Sequence, residues 1–301
     1  MEHNWNKCMK ILSLFDGISC ARVAIEMAGI KIEKYYASEI DKYAIQIAQK
    51  NYPDTIQVGD ISQLKGDSFN NIDLLIGGSP CQDLSISKSK TRKGLYGNKS
   101  KLFYEFVRLL KEVKPKYFIL ENVASMSEES KNIISKELGV EPILLNAKDF
   151  SAQDRARYFW TNIKVNKPLE INEVMLGDIL ESNVDEKYYY KDFSFEIYKD
   201  TSKRVIGKIN VAGHDILKRI YNRLMKSPTI TTCGGGNTQH KVFDNERVRK
   251  LTPREYESLQ CLPEDYTGGL SDSQRYKCLG NAFNVEVVRH IINQLTQPLI
   301  K

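Results

Sequence analysis

Ile72-Asp73-Leu74-Leu75-Ile76-Gly77-Gly78-Ser79-Pro80-Cys81-Gln82 is an apolar run of strand length that ends abruptly in two glycines and a proline-held cysteine. A parallel sheet reads this way, and it delivers one thiol in fixed orientation to the crevice at the carboxyl ends of its strands. A second apolar run, Tyr117-Phe118-Ile119-Leu120, ends in the same manner at Glu121-Asn122-Val123. By itself a cysteine after a strand is most often a small buried hydrophobe, and a glutamate at a strand end is most often simply solvated. A thiol and a carboxyl group on neighbouring strand ends also fit covalent catalysis assisted by an acid, so the rest of the chain decides between the two.

Outward from these runs, strand and helix patterns alternate. Lys10 to Phe15 reads as a buried strand, and Cys20 to Ala28 as a helix stopped by Gly29. Tyr35 to Ser38 reads as a strand, and Asp41 to Asn51 as an amphipathic helix ending before Pro53. Leu102 to Val113 carries apolar residues at helical spacing up to Pro115, and further strands are expected at Ile143 to Leu145 and Tyr158 to Thr161. This order predicts an α/β fold with a doubly wound sheet. After about Lys164 the texture changes to short segments and turn signals, including Gly207, Gly213 and Gly234-Gly235-Gly236. We therefore expect a main domain over residues 1–164 and 267–301, and a smaller, irregular one over 165–266. The tail from Ser273 to Leu299 regains helical spacing, with Val285, Val288, Ile291, Ile292 and Leu295 on one face, and should pack back on the main domain.

With 301 residues and 41% hydrophobic content, the chain can bury a substantial core, and its formal charge of +6 leans toward a polyanionic partner. No apolar run reaches the length of a membrane span, and the first residues do not resemble a signal peptide. The expected location is the cytosol or nucleoid. The six cysteines, at 8, 20, 81, 233, 261 and 278, include no C-x-x-C pair, and the four histidines add no ligand-spaced cluster, so neither a metal site nor a disulfide framework is expected.

Further segments carry chemistry. Phe15-Asp16-Gly17-Ile18-Ser19 lies between the first strand and its helix, where a tight turn and a helix N-terminus can receive a nucleotide-like ligand. Glu39 ends the next strand, placed to grip ribose hydroxyls, and Asp60-Ile61 follows, where a carboxylate can accept from an adenine amine. The loop has one glycine where dinucleotide fingerprints have three, which suits an adenosine cofactor without a phosphate tail. Between Leu84 and Leu102 lie Lys88, Lys90, Arg92, Lys93, Lys99 and Lys101 with no acidic residue. Such a run is either a solvated loop or a basic flap that holds phosphates beside the thiol. Arg155 and Arg157 in Gln153-Asp154-Arg155-Ala156-Arg157 stand at i and i+2 of an extended segment, pointing the same way toward an oxygen ligand, unless they merely form surface ion pairs.

Taken in order, Phe15-Asp16-Gly17, Glu39, Asp60, Ser79-Pro80-Cys81-Gln82, Glu121-Asn122-Val123, Gln153-x-Arg155-x-Arg157, Leu251-Thr252-Pro253-Arg254-Glu255 and Gly280-Asn281-Ala282 resemble the motifs of the cytosine-5 DNA methyltransferases. The resemblance runs from Ile11 to Ile292, with wording around Cys81 similar to the animal de novo branch in a compact chain of bacterial or phage type. It implies a Rossmann-like fold that uses S-adenosylmethionine, with S-adenosylhomocysteine as product and no metal. It implies that Cys81 adds to C6 of a flipped cytosine, that Glu121 holds and protonates N3, and that Arg157 binds O2, with Arg155 beside it and Asn122 positioning Glu121 and the loop behind Pro80. The cofactor would lie against Phe15, Asp16, Gly17, Ile18, Ser19, Glu39, Ile40, Asp60, Ile61, Gly78 and Pro80, completed by Asn281 and Ala282. Ser19-Cys20 stand where many relatives carry glycines, and the Ser19 hydroxyl could then donate to the cofactor carboxylate.

By the same resemblance Ser227 to Gly236 is a target-recognition segment, in which Thr229 presses on the backbone beside the flipped nucleotide, with Thr231, Gly234, Gly235 and Gly236 also against DNA. Lys88, Lys90, Arg92, Lys93 and Arg155 would meet phosphates. Base-reading side chains are expected near Asn210 to Arg219 and Gly234 to Lys241. The partner would be double-stranded DNA, with a cognate restriction endonuclease as a functional rather than physical partner, no membrane, and a monomer sufficient for the chemistry. Two alternatives remain open at this point: a tRNA cytosine-5 methyltransferase using the same residues, and a catalytically silent protein that binds DNA.

Overall fold

The apolar runs become the middle of a seven-stranded sheet in the computed structural model, which describes residues 8–80, 101–234 and 237–295. The chain divides into two compact units: Met1–Leu145 with Ala156–Pro168 and Val287–Lys301, and Asn146–Arg155 with Leu169–Glu286. Along the chain come β1 (Met9–Leu14), α1 (Cys20–Met27), β2 (Ile32–Ser38), α2 (Lys42–Asn51), β3 (Ile56–Gln57), β4 (Leu74–Gly78), α3 (Leu102–Val113), β5 (Tyr117–Val123), α4 (Glu128–Leu138), β6 (Ile143–Asn146), β7 (Gln153–Asp154) and β8 (Ala156–Thr161). Then follow β9 (Phe195–Ile197), β10 (Val205–Ile209), β11 (Arg219–Tyr221), β12 (Ser227–Pro228), β13 (Lys241–Asp244), β14 (Arg247–Lys250), α5 (Pro253–Leu259), α6 (Asp272–Asn281) and α7 (Val285–Asn293).

The sheet of the first unit runs β3-β2-β1-β4-β5-β8-β6. From β3 to β5 every pair is parallel, as the near-continuous apolar strands require of a sheet covered on both faces. β8 lies antiparallel to β5. The 147–155 connection that precedes it is shorter than the dozen or so residues a parallel crossover needs. Leu12, Leu75, Leu120, Phe103, Phe106 and Leu109 meet in the core, the last three from α3. Gly77 is required by that packing, because a Cβ there would stand 2.8 Å from the Leu14 carbonyl oxygen and 3.3 Å from Phe106. Helix ends follow local chemistry: the Asp41 side chain accepts from Tyr43 N–H and Ala44 N–H at the start of α2, and Ser127 accepts from Ser130 N–H at the start of α4.

The second unit holds a five-stranded sheet, β14-β13-β11-β10-β9, and a two-stranded one, β12-β7. Its clustered sheet core is small, with Ile209, Val211, Ile220 and Val248 buried at the centre. Polar contacts do much of the remaining fixing. Thr252 and Glu255 form a capping box at the head of α5, and Arg249, fully buried, makes a two-pronged bond to Glu255 at 2.8 and 2.9 Å.

The helical spacing read over 273–299 resolves into two helices rather than one. α6 ends at Asn281, the backbone turns extended at Ala282, and α7 restarts at Val285. Residues from Val287 onward group with the first unit, and those up to Glu286 with the second.

Candidate active site

Parallel pairing places Gly78, at the end of β4, opposite Glu121, near the end of β5. Glu121 in turn stands opposite Phe159 of β8, and Arg157 lies two residues before Phe159, on the same face. The consequence is a short ion pair, Arg157 Nε to Glu121 Oε1 at 2.8 Å, with side chains only 15% and 12% exposed. Arg157 also donates to the Ala156 carbonyl at 2.8 Å, so its guanidinium is held from two sides. Asn122 is fully buried, and its amide donates to Ser79 Oγ at 3.0 Å and Ser79 O at 3.3 Å, tying the end of β5 to the chain leaving β4. The described chain stops at Pro80 on this side. Cys81 and the basic residues Lys88, Lys90, Arg92 and Lys93 lie outside the described residues, as do Gly235 and Gly236.

The loop after β1 is bent hard. Phe15, Gly17 and Ser19 all take the left-handed conformation, at φ 57°, 60° and 60°, which for a bulky side chain such as Phe15 is strained. Asp16 anchors it from below, 5% exposed, accepting from the Tyr35 hydroxyl and the Ser19 hydroxyl, each at 2.6 Å. Burial raises the Asp16 pKa above the usual carboxylate value, opposed by those hydroxyl donors. The expectation that Ser19 offers its hydroxyl to a ligand therefore gives way to an internal bond: the left-handed backbone turns the side chain onto Asp16, and Ser19 is fully buried. Asp16 and Ser19, with the buried Ile18, shape the loop from inside.

Glu39 faces the other way. Its Oε2 accepts from Gly17 N–H at 2.8 Å, and its Oε1 from Ile40 N–H at 2.7 Å and Asp41 N–H at 2.8 Å. These bonds fix the carboxylate at the carboxyl end of β2. Ile40 beside it is 73% exposed, an apolar face on which a flat ring can lie. Asp60 is exposed and caps a short turn by accepting from Ser62 N–H at 2.9 Å, with Ile61 buried behind it. Arg108 of α3, which the sequence did not single out, holds this turn by donating to Ile61 O at 3.2 Å and Leu64 O at 2.9 Å. An anchored carboxylate, an exposed aliphatic side chain and a second carboxylate along strand ends form a donor and packing set that fits an adenosine-type cofactor. Among the described residues no cluster of His, Cys, Asp and Glu could hold a metal ion.

In the second unit Arg155 departs from expectation. It sits between β7 and β8 rather than within one strand, is 5% exposed, and donates to Ala282 O at 3.0 Å and to Ile230 O and Gly280 O, each at 3.4 Å. Its guanidinium is thus turned toward backbone carbonyls of the protein itself. Gln153 binds the same region, accepting from Ile230 N–H at 3.1 Å and donating to Leu259 O at 2.9 Å. Thr229 donates to Asp154 O at 2.7 Å, while Thr231 and Gly234 remain exposed. Gly280 lets α6 touch this segment, since a Cβ there would come within 2.4 Å of the Thr231 carbonyl oxygen. Asn281 is exposed at the end of α6, and the Ala282 carbonyl also accepts from Gln260 at 3.1 Å. Lys241, within the stretch expected to read bases, is buried instead, 1% exposed.

The sequence profile of the C-5 cytosine-specific DNA methylases matches residues 9–297. The type II methyltransferase M.DsaV of Dactylococcopsis salina is 30% identical across 96% of this chain and 86% of its own length. The type II methyltransferase M1.ScrFI of Lactococcus lactis subsp. cremoris is 28% identical across 97% of this chain and 79% of its own. The solved structure of the Entamoeba histolytica methyltransferase EhMeth superposes with a TM-score of 0.74, covering 96% of this chain and 98% of that one at 20% identity, which shows a common fold. Among the described residues no helix is long and apolar enough to cross a membrane. With the profile matched almost from end to end, and Glu121 and Arg157 paired at the sheet's carboxyl edge, the chain belongs to the C-5 cytosine-specific DNA methylase family.

Proposed function

We propose that the protein is a site-specific DNA cytosine-5 methyltransferase acting on a cytosine turned out of the duplex. The observation that carries this reading is the Glu121–Arg157 pair, 2.8 Å apart and set beside Gly78, three residues before Cys81 in the sequence. Cytosine offers N3 and O2 on one edge, and a carboxyl group with an adjacent guanidinium matches that edge. The Cys81 thiolate adds to C6, forming the S–C6 bond, while Glu121 supplies a proton to N3 as the ring loses aromaticity and C5 becomes electron-rich. S-adenosylmethionine, when bound, supplies an electrophilic methyl group to C5 and departs as S-adenosylhomocysteine. Loss of the C5 proton to a base then expels the Cys81 thiolate, N3 returns its proton to Glu121, and the aromatic ring is restored. Glu39, Ile40 and Asp60 would hold the cofactor's ribose and adenine, with the 15–19 loop, Gly78 and Pro80 completing its site. Extruding the base costs a few kcal/mol, recovered in the pocket.

Thr229, Thr231 and the glycines 234–236 would face the DNA backbone from the region 165–266, and the basic residues Lys88 to Lys93 would hold phosphates. Bisulfite sequencing of plasmid DNA from cells without other cytosine methylation, with and without this gene, tests the reading. Protected cytosines in one short recurring context are expected. No protection, with methyl transfer to tRNA instead, would overturn the DNA assignment, and cofactor-loaded protein that methylates neither would overturn the enzymatic one. A duplex carrying 5-fluorocytosine at the target tests the covalent step, since fluorine cannot leave as a proton does and the Cys81 adduct should persist through denaturation.

A further inference from the structure

Burying an ammonium costs several kcal/mol unless hydrogen bonds replace its water, so a lysine with 1% exposure calls for a reason. Lys241 opens β13, two residues beyond Gln239. Its Nζ donates to Asn237 O at 2.7 Å and Gln239 O at 2.9 Å, and it lies 5.7 Å from the centroid of the Tyr190 ring. The Tyr190 hydroxyl donates to Asn237 Oδ1 at 3.2 Å, so Asn237 is held through both backbone and side chain. Cys233 and His240 also converge on one phenol: Tyr256 Oη accepts from His240 N–H at 3.1 Å and lies 3.5 Å from Cys233 Sγ. Lys250 stands opposite Lys241 in register on β14 and gives the ammonium no compensating charge. Burial draws the Lys241 pKa down to about 8, so it is charged near neutral pH. If packing alone mattered, an apolar side chain would fill this place at less cost. What an apolar residue cannot do is bind the two carbonyls.

We propose that Lys241 is a positioning residue for target recognition: its ammonium clips the Asn237 and Gln239 carbonyls, so that residues 237–239 present one fixed set of groups to DNA. This rests on the reading of the protein as a DNA methyltransferase whose target-recognition segment is 227–236, with base-reading side chains near 234–241. A recognition group is only as selective as its support is rigid, and the clip supplies that support to residues 237–239.

The test compares wild type, Lys241→Met and Tyr190→Phe in steady-state methylation of duplexes bearing the mapped site or a site with one base pair changed. Lys241→Met should raise KM for DNA about tenfold or more and narrow the preference for the correct site, with kcat at saturating DNA held within about twofold. Tyr190→Phe should do the same more weakly. Unchanged KM and site preference in both variants would overturn the proposal, as would a fall in kcat with KM unchanged, the signature of a merely structural role that lowers the active fraction. Should Lys241→Met fail to fold, seen as lost S-adenosylmethionine binding, Tyr190→Phe decides by the same two readouts. Wild-type protein that methylates no DNA would defeat the functional reading beneath this one, whereas active wild type with indifferent variants defeats this one alone.

Discussion

Replacing Glu255 tests whether the second unit is held by its buried charges. Arg249 and Glu255 are both fully buried and joined by two bonds of 2.8 and 2.9 Å, with Arg249 Nε also donating to Asp244 at 2.8 Å. Glu255 accepts in addition from Thr252 N–H at 2.7 Å and Glu181 N–H at 2.9 Å. Glu255→Ala leaves a guanidinium buried with one carboxylate partner, which costs about 3–5 kcal/mol when a buried pair is broken. It also strips the capping box at the head of α5, adding roughly 1 kcal/mol. Glu255→Gln keeps the shape and one acceptor oxygen, and should fall at the low end of that range. A double replacement, Arg249→Met with Glu255→Met, removes both charges together and should recover most of the loss, ending within about 2 kcal/mol of wild type. Urea unfolding of the full chain, followed by circular dichroism, gives the three differences. A double variant no more stable than Glu255→Ala would refute the reasoning, because the cost would then lie in packing or capping rather than in the unpaired charge.

Other outcomes follow from the site. Cys81→Ala should abolish turnover and leave DNA binding largely intact; turnover retained in that variant removes the covalent mechanism. Glu121→Gln keeps the contact with Arg157 but cannot supply the same proton, so single-turnover methylation should slow by about 10²–10⁴ with cofactor affinity unchanged, and equal loss of both would show that Glu121 acts through folding. Neutralising Lys88, Lys90, Arg92 and Lys93 should reduce the slope of log K against log salt for DNA binding by up to about 4, and an unchanged slope would return that loop to bulk solvent. Burial keeps His240 neutral by pulling its pKa from 6.5 down to about 3. The unfolded chain takes up a proton near pH 6.5 that the folded one refuses, so stability falls as pH drops below that value. His240→Gln should flatten this decline between about pH 6.5 and 5, measured as urea midpoints, and an equal decline in both proteins would disprove it.

How much of this was legible in the sequence depends on what each residue's neighbours could be. Leu74 to Ile76 and Phe118 to Leu120 are apolar at every position, which only a strand covered on both faces tolerates, so β4 and β5 could be read directly. Their glycine and glutamate ends, brought into register as Gly78 and Glu121, follow from parallel pairing once the strands are known. α4 carries Glu128-Glu129-Ser130-Lys131-Asn132 in its first turns, and its buried residues Ser130, Ile134, Ser135 and Leu138 are half polar, so its pattern did not stand out. The break between α6 and α7 was hidden for the opposite reason, since apolar spacing continues across it while Ala282 turns extended. Arg155 was misread because the period-2 rule applies within one strand, and the residue falls between two.

The inward-turning residues have a common physical origin. Beside the apolar cluster of Ile209, Val211, Ile220 and Val248, the second unit's segments are also tied to one another through buried or half-buried polar groups. Lys226 donates to the carbonyls of Ser151, Asn172 and Val174; Arg275 pairs with Glu257 at 2.9 Å; Arg249 pairs with Glu255; and Lys241 holds Asn237 and Gln239. In a sequence each of these is one more basic residue in a chain of net charge +6, and each would be counted toward a polyanion-binding face. Their charges are already committed to the protein's own carbonyls and carboxylates. A buried ionic group contributes little net stability, but it tolerates few geometries, because any arrangement that leaves it unpaired is costly. Such groups also fix where the polar atoms of neighbouring segments point, which an apolar core, holding segments together without direction, does not.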